Sequence, residues 1–164
     1  MFERESSTIR RETSSVDVAR DPVVVAARDA FASAARGGGS HVTPLKIVKA
    51  WRSSVQAINE NCFQIGVLVA SDLKVSQIVD VVDTGNGTAY SLKIIGRDSD
   101  GELYRDVVKV LFWNNTREPK IKRLVFMTEE TWGRKYLDTP VVQFFIDAVS
   151  MQGVQVYIEY VGRT

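Results

Sequence analysis

Between Gln77 and Ile95 the chain runs through two apolar, β-branched stretches, Gln77–Val82 and Thr88–Ile95, separated by Asp83-Thr-Gly-Asn-Gly87. Asn and Gly enter the left-handed backbone region that tight hairpin turns demand, so the two stretches are predicted to be antiparallel neighbours. Alternate strand residues share a face. One face of this hairpin is wholly apolar (Val79, Val81, Tyr90, Leu92, Ile94), while Asp80, Ser91 and Lys93 point the other way. With Gly85-Asn86 as a two-residue loop Asp80 lies opposite Ser91, and with Asn86-Gly87 it lies opposite Lys93. Directly opposed residues point to the same side. Either register therefore gives Asp80, and not Asp83, to Lys93. An isolated hairpin is marginal in water and needs further layers over its apolar face.

The rest of the chain supplies them. Asp21-Pro22, Thr43-Pro44 and Thr139-Pro140 each place a capping side chain before a proline at the first helical position. Behind these caps, apolar residues recur at helical spacing: Val24, Ala27, Phe31 and Ala34; then Leu45, Val48, Trp51, Val55 and Ile58; then Val141, Phe144, Phe145, Ala148 and Val149. Glu102–Trp113 is a further helix with Leu103, Val107, Val110 and Leu111 inward. Phe63–Val69, Ile121–Met127 and Val154–Val161 read as strands. The expected architecture is α/β: helix, three-strand meander, helix, strand, helix, strand, with an extra N-terminal helix. The last strand-helix-strand steps should give parallel neighbours. Residues 1–20, rich in Ser, Thr, Arg and Glu, form an expected disordered tail. Residues 21–42 are an amphipathic helix and glycine hinge, and 43–164 the α/β domain. Helix 22–36 could dock on its own domain, on a second copy to make a homodimer, or on a protein partner.

Composition removes several functions. The 164 residues carry a net charge of +1, so nucleic acid would have to be held by a local patch. Cys62 is the single cysteine and His41 the single histidine. That excludes an intrachain disulfide, a cysteine-based metal cage, a His-rich zinc site and a Ser-His or Cys-His pair within the core. His41, beside a Gly-Gly-Gly-Ser run, reads as a loop residue. No apolar run reaches the ~20 residues of a membrane span, and the charged start Met-Phe-Glu-Arg-Glu-Ser does not resemble a secretory signal. The expected location is cytoplasmic, where the Asn-x-Thr matches at Asn86 and Asn114 have no glycosylation meaning.

The order of elements around Asp80, Ser91-Leu-Lys93 and their hairpin resembles the core of the PD-(D/E)xK, or restriction-endonuclease-like, nuclease superfamily over about residues 44–161. The resemblance implies an aspartate on the second strand, met by Asp80, and an acid-x-lysine triplet on the third, met at Lys93. Ser91 stands at the acid position. In similar restriction enzymes with serine there, a carboxylate comes from the following helix about a dozen residues beyond the lysine. Asp106 has that spacing, and Glu102 lies one turn earlier on the same stripe. Glu60 resembles an acid that some members add. The implied chemistry is Mg²⁺-dependent hydrolysis of a nucleic acid, most naturally DNA. Asp80, Asp106 and Glu102 would serve the metal, and Asp80, Lys93 and Asp106 would be catalytic.

Simpler readings stay open beside these. Asp80 and Lys93 also suit a cross-strand ion pair at a sheet edge, and Glu102, Asp106 and Lys109 a solvated helix face. Lys120, Lys122 and Arg123, with Arg134 and Lys135 in a Trp132–Tyr136 loop, form a candidate nucleic-acid-binding cluster of bases and aromatics. The same Trp and Tyr would equally cover a core edge. Three functions follow: a nuclease with a displaced acid, a catalytically inactive nuclease-fold module for DNA binding or protein assembly, or an unrelated α/β binding protein that shares only the order of elements.

Overall fold

Asp21 accepts a hydrogen bond from the Val23 N–H at 2.9 Å, and the Thr139 hydroxyl accepts one from Val142 at 3.2 Å, so both caps act as the sequence predicts. The computed structural model describes residues 18–36, 44–58, 63–71, 76–94 and 98–163, the side chains of 67–78 excepted. Among the described residues the chain runs α1 (Pro22–Arg36), α2 (Pro44–Ile58), β1 (Phe63–Ser71), β2 (Ser76–Asp83), β3 (Thr88–Lys93), α3 (Ser99–Thr116), β4 (Arg123–Glu129), α4 (Glu130–Leu137), α5 (Pro140–Ser150) and β5 (Gln155–Gly162). The strands form one sheet in the order β1-β2-β3-β4-β5. β1–β2 and β2–β3 are antiparallel, while β3–β4 and β4–β5 are parallel, as a helical crossover requires.

Helices cover both faces, giving an α/β protein with two core layers. On one side Val81, Tyr90, Leu92, Val125 and Met127 pack against α1 and α2. On the other, Val82, Ala89, Leu124 and Phe126 pack against α3, α4 and α5. Val79, expected beside Val81, belongs to this second layer. It lies beyond the last β2–β3 pair, Val81–Tyr90, where β2 no longer alternates in step with β3.

Helix α1 answers the question of where it docks. Val23, Val24, Ala26, Ala27 and Phe31 are buried on the chain's own α2 and β5. Trp51 Nε1 donates to the Val23 carbonyl at 3.0 Å, the Tyr90 hydroxyl donates to Asp21 at 2.6 Å, and Arg28 pairs with Glu159. The stripe that could have met a homodimer copy or a partner is thus filled intramolecularly. Val18, placed within the expected tail, is buried in the same layer, and residues 1–17 lie outside the described residues. In α2 the buried stripe is Ile47, Trp51 and Val55, leaving Leu45 and Ile58 exposed; the Trp51 anchor sets that rotation.

Residues Trp132–Tyr136, expected as a loop, are helical. Glu129 caps α4 by accepting from the Thr131 and Trp132 N–H groups at 2.6 and 3.0 Å. The hairpin turn has four residues between the last pair, Asp83 and Thr88, rather than two. Gly87 closes it with φ +68°, and its carbonyl accepts from Lys122 and Arg123 at the start of β4. No helix among the described residues is long and apolar enough to cross a membrane. Gly37 to Gly39, His41, Glu60, Cys62 and Ile95 lie outside the described residues.

Candidate active site

The β2–β3 ladder comprises Asp83–Thr88, Val82–Ala89 and Val81–Tyr90. Past that point β2 continues with β1, and β3 with β4 as far as Lys93–Thr128. These three pairs have the register given by Gly85-Asn86 at the centre of the turn, and the ladder ends before Asp80. Asp83 lies at the turn, accepting from the Gly85 N–H at 2.9 Å. The candidate site occupies the fork where the two strands part.

At this fork the Asp80 carboxylate is buried and both of its oxygens are engaged. Oδ1 meets Arg52 Nη2 of α2 at 2.7 Å. Oδ2 lies 3.6 Å from Lys93 Nζ and accepts from the Leu92 N–H at 3.4 Å. Asp106 descends from α3 and is 5% exposed. Its Oδ2 accepts a 2.5 Å hydrogen bond from the Ser91 hydroxyl, and Oδ1 lies 3.3 Å from Lys109 Nζ. Ser91 on β3 is therefore bonded to the carboxylate of the following helix.

Electrostatics ties the two halves together. Burial alone would lower the Lys93 pKa, but Asp80, Asp106 and Glu102 outweigh it and hold the ammonium above its ordinary value. Burial raises the Asp106 pKa, and neighbouring Asp80 adds to the rise. Lys93, the Ser91 hydrogen bond and Lys109 oppose it without cancelling it. Two carboxylates thus share one lysine in a water-poor setting, an arrangement that perturbs protonation more than a lone surface pair does. Glu102 is less committed: it is half-buried and bonded to Arg105 at 2.7 Å.

The solvated-face reading of Asp106 and Lys109 is overturned by burial, since their side chains are 6% and 12% exposed. Arg52 was missed by sequence reasoning. Its place next to Trp51 on α2 signals only a helix flank, and its length lets it reach across to β2. Two polar atoms nearby have no hydrogen-bond partner among the described residues: Arg52 Nε and Thr128 Oγ1, the latter on the β4 residue paired with Lys93.

The basic cluster separates into two groups at opposite ends of β4. Lys122 and Arg123 open the strand beside the hairpin turn, with Lys120 just before them, bonded to Glu118 and to the Asn114 carbonyl. Arg134 and Lys135 lie on α4 beyond the other end. Arg134 pairs with Glu130 and stacks over Tyr160, while Lys135 lies over both Trp132 and Tyr136, whose rings stack 6.2 Å apart. β4 pairs Lys93 with Thr128 immediately before α4, so only this second group shares the sheet end with Lys93.

The donor chemistry suits a hard divalent ion. Mg²⁺ is commonly held by one or two carboxylates with the remaining positions left to water and phosphate, and Asp80 and Asp106 are the buried carboxylates at the fork that could serve one. No group of three or more His, Cys, Asp or Glu side chains gathers among the described residues. No protein-family model matches the chain, and no curated protein or solved structure shows significant similarity to it.

Proposed function

We propose that the chain is a metal-dependent nuclease domain of the restriction-endonuclease-like type, acting on DNA, with Asp106 as its displaced acid. The observation that carries this reading is the Ser91–Asp106 hydrogen bond, which ties a helix carboxylate to the residue two before Lys93 and so supports Asp106 as the missing acid. A bound Mg²⁺, held by Asp80 and Asp106 with Glu102 close by, would polarise the scissile phosphate and acidify the attacking water. Lys93 keeps its proton among three acids, so it can orient that water and steady charge building on the phosphate. Arg52 balances Asp80 from the α2 side, and Arg134 and Lys135 offer backbone contacts at the same sheet end.

A second reading has its own observation: both carboxylates are already satisfied by Arg52, Lys93, Lys109 and Ser91. A closed network of this kind suits a non-catalytic module that holds DNA. Plasmid cleavage in Mg²⁺ or Mn²⁺ separates the two. Cleavage that Lys93→Ala or Asp80→Asn lowers by at least about 100-fold, in variants that stay folded, supports the nuclease. DNA binding without cleavage in either metal selects the module. Divalent metal at ~100 times its dissociation constant should also raise stability by about 2.7 kcal/mol, and Asp106→Asn should remove that increment.

A further inference from the structure

Helix α5 carries one polar stripe, Gln143, Asp147 and Ser150, and is apolar over the rest of its surface. Val142 and Val149 are buried, with Phe145 and Ile146 half-buried beside them, but the apolar arc runs on past the part the core covers, whereas such a stripe normally faces a core. Its outward apolar residues are Val141, Phe144, Ala148 and Met151, the last in helical geometry just after the helix. Val141, Phe144 and Met151 are 69%, 75% and 85% exposed. Their separations of three, four and three residues are those of a helix-packing seam. Beside it, α3 exposes Val108 and Phe112, and the two helices touch through Tyr104 and Phe145, whose rings lie 4.6 Å apart. These side chains present on the order of 500 Å² of apolar surface. That rivals the largest patch on a typical monomer and exceeds half of the ~800 Å² that each partner of a standard interface buries.

We propose that this seam packs antiparallel against the same seam of a second copy of the chain, making an α5–α5′ homodimer. Complementarity under a twofold axis selects the second copy. Centring the pair at position 146 sets Val141 against Met151′ and Phe144 against Ala148′, a large side chain over a small one on both sides of the axis. Charge agrees. The seam residues are uncharged, and the single ionised residue of α5, Asp147, falls opposite Phe145′ rather than its own image, so no like charges meet. The chain's own first 17 residues are a poor alternative occupant, because seven of them are charged. The proposal does not depend on the nuclease reading, since its contacts involve none of the candidate site residues.

Sedimentation of the full chain between about 1 and 100 µM tests it. The expected result is a species of twice 18.3 kDa, whose dissociation constant rises at least about 100-fold in Phe144→Glu and in Ala148→Glu, with circular dichroism unchanged. Cysteine cross-linking supplies a second measurement that adds no charge. In a Cys62→Ser background, Phe144→Cys mixed with Ala148→Cys should form the mixed disulfide, and neither variant should link to itself. A chain that stays monomeric at 100 µM overturns the proposal. So does a dimer indifferent to both glutamates, or self-linking at position 144 or 148.

Discussion

Two strand carboxylates in this molecule are buried against a helix arginine, and they differ in company. Glu159 of β5 meets Arg28 Nη2 of α1 at 3.0 Å, and the pair fastens the N-terminal helix to the sheet. Burial pushes the Glu159 pKa up, with Arg28 opposing. Asp80 meets Arg52 at 2.7 Å, but also Lys93, and shares that lysine's field with Asp106 and Glu102. One acid with one base is what joining two elements needs. Drawing several acids around one lysine adds like-charge repulsion that structural joining does not call for. On the function proposed above, the contrast assigns Glu159 a structural role and Asp80 a chemical one.

The sharpest way to break the comparison is to neutralise one acid on each side. Asp106→Asn should lower Mg²⁺-dependent DNA cleavage by at least about 100-fold. It should change unfolding free energy in metal-free buffer by less than about 1 kcal/mol, because an amide still accepts the Ser91 hydrogen bond while the repulsion from Asp80 disappears. Glu159→Gln should leave cleavage at the wild-type rate. Plasmid assays alongside urea unfolding measure both. Equal losses of activity in the two variants would erase the distinction.

Removing the arginines gives a smaller, thermodynamic contrast. Arg28→Ala leaves Glu159 buried without its base and should cost about 2 kcal/mol, below the range for fully buried pairs because Arg28 is partly solvated. Arg52→Ala leaves Asp80 still facing Lys93 and should cost about 1 kcal/mol. Denaturant midpoints at neutral pH read the order, and a larger loss from Arg52→Ala would make Asp80 the structural member of the two.

How much of this was legible beforehand follows the range of the interactions. The hairpin, the proline-led helices and the parallel β4 and β5 are written in local patterns, and they formed with ends shifted by a few residues. The pairing of Asp80 with Lys93 was also legible, although the alternation it was read from breaks at Val79, which lies in the opposite layer from Val81. The family resemblance pointed to Asp106, but its burial depends on how α3 lies over the fork, which no local pattern encodes. Helix α4 was hidden for a specific reason. Gly133 reads as a helix breaker, yet a Cβ there would lie 2.5 Å from Tyr160 Cε1 and 2.8 Å from Thr128 Cγ2, so glycine is a packing requirement. Its cap is a glutamate, outside the preferred Ser, Thr, Asp and Asn. Arg52 and Arg28 were invisible because long side chains choose partners far away in sequence.

The smallest expected effect concerns pH and tests whether burial or Arg28 dominates at Glu159. In the folded chain its pKa lies above the ordinary glutamate value, with burial as the leading cause. As pH falls from neutral through that raised value, the native state takes up a proton that the unfolded chain does not yet bind. Stability contributed by this residue therefore rises as pH falls, and it stops changing once the unfolded glutamate also protonates, below about pH 4.3. Glu159→Gln has no such proton to bind. Subtracting its unfolding free energy from that of the wild type at several pH values isolates the residue, and the difference should grow in the wild type's favour towards acid. Arg28→Ala should start that growth at higher pH, because the opposing charge is gone. A difference that instead shrinks towards acid would mean that Arg28 outweighs burial, with the ionised pair stabilising the fold. The joint between α1 and β5 would then owe its strength to charge attraction, the term that binds Asp80 to Arg52 and Lys93, and the comparison would rest on the crowding of acids at the fork alone.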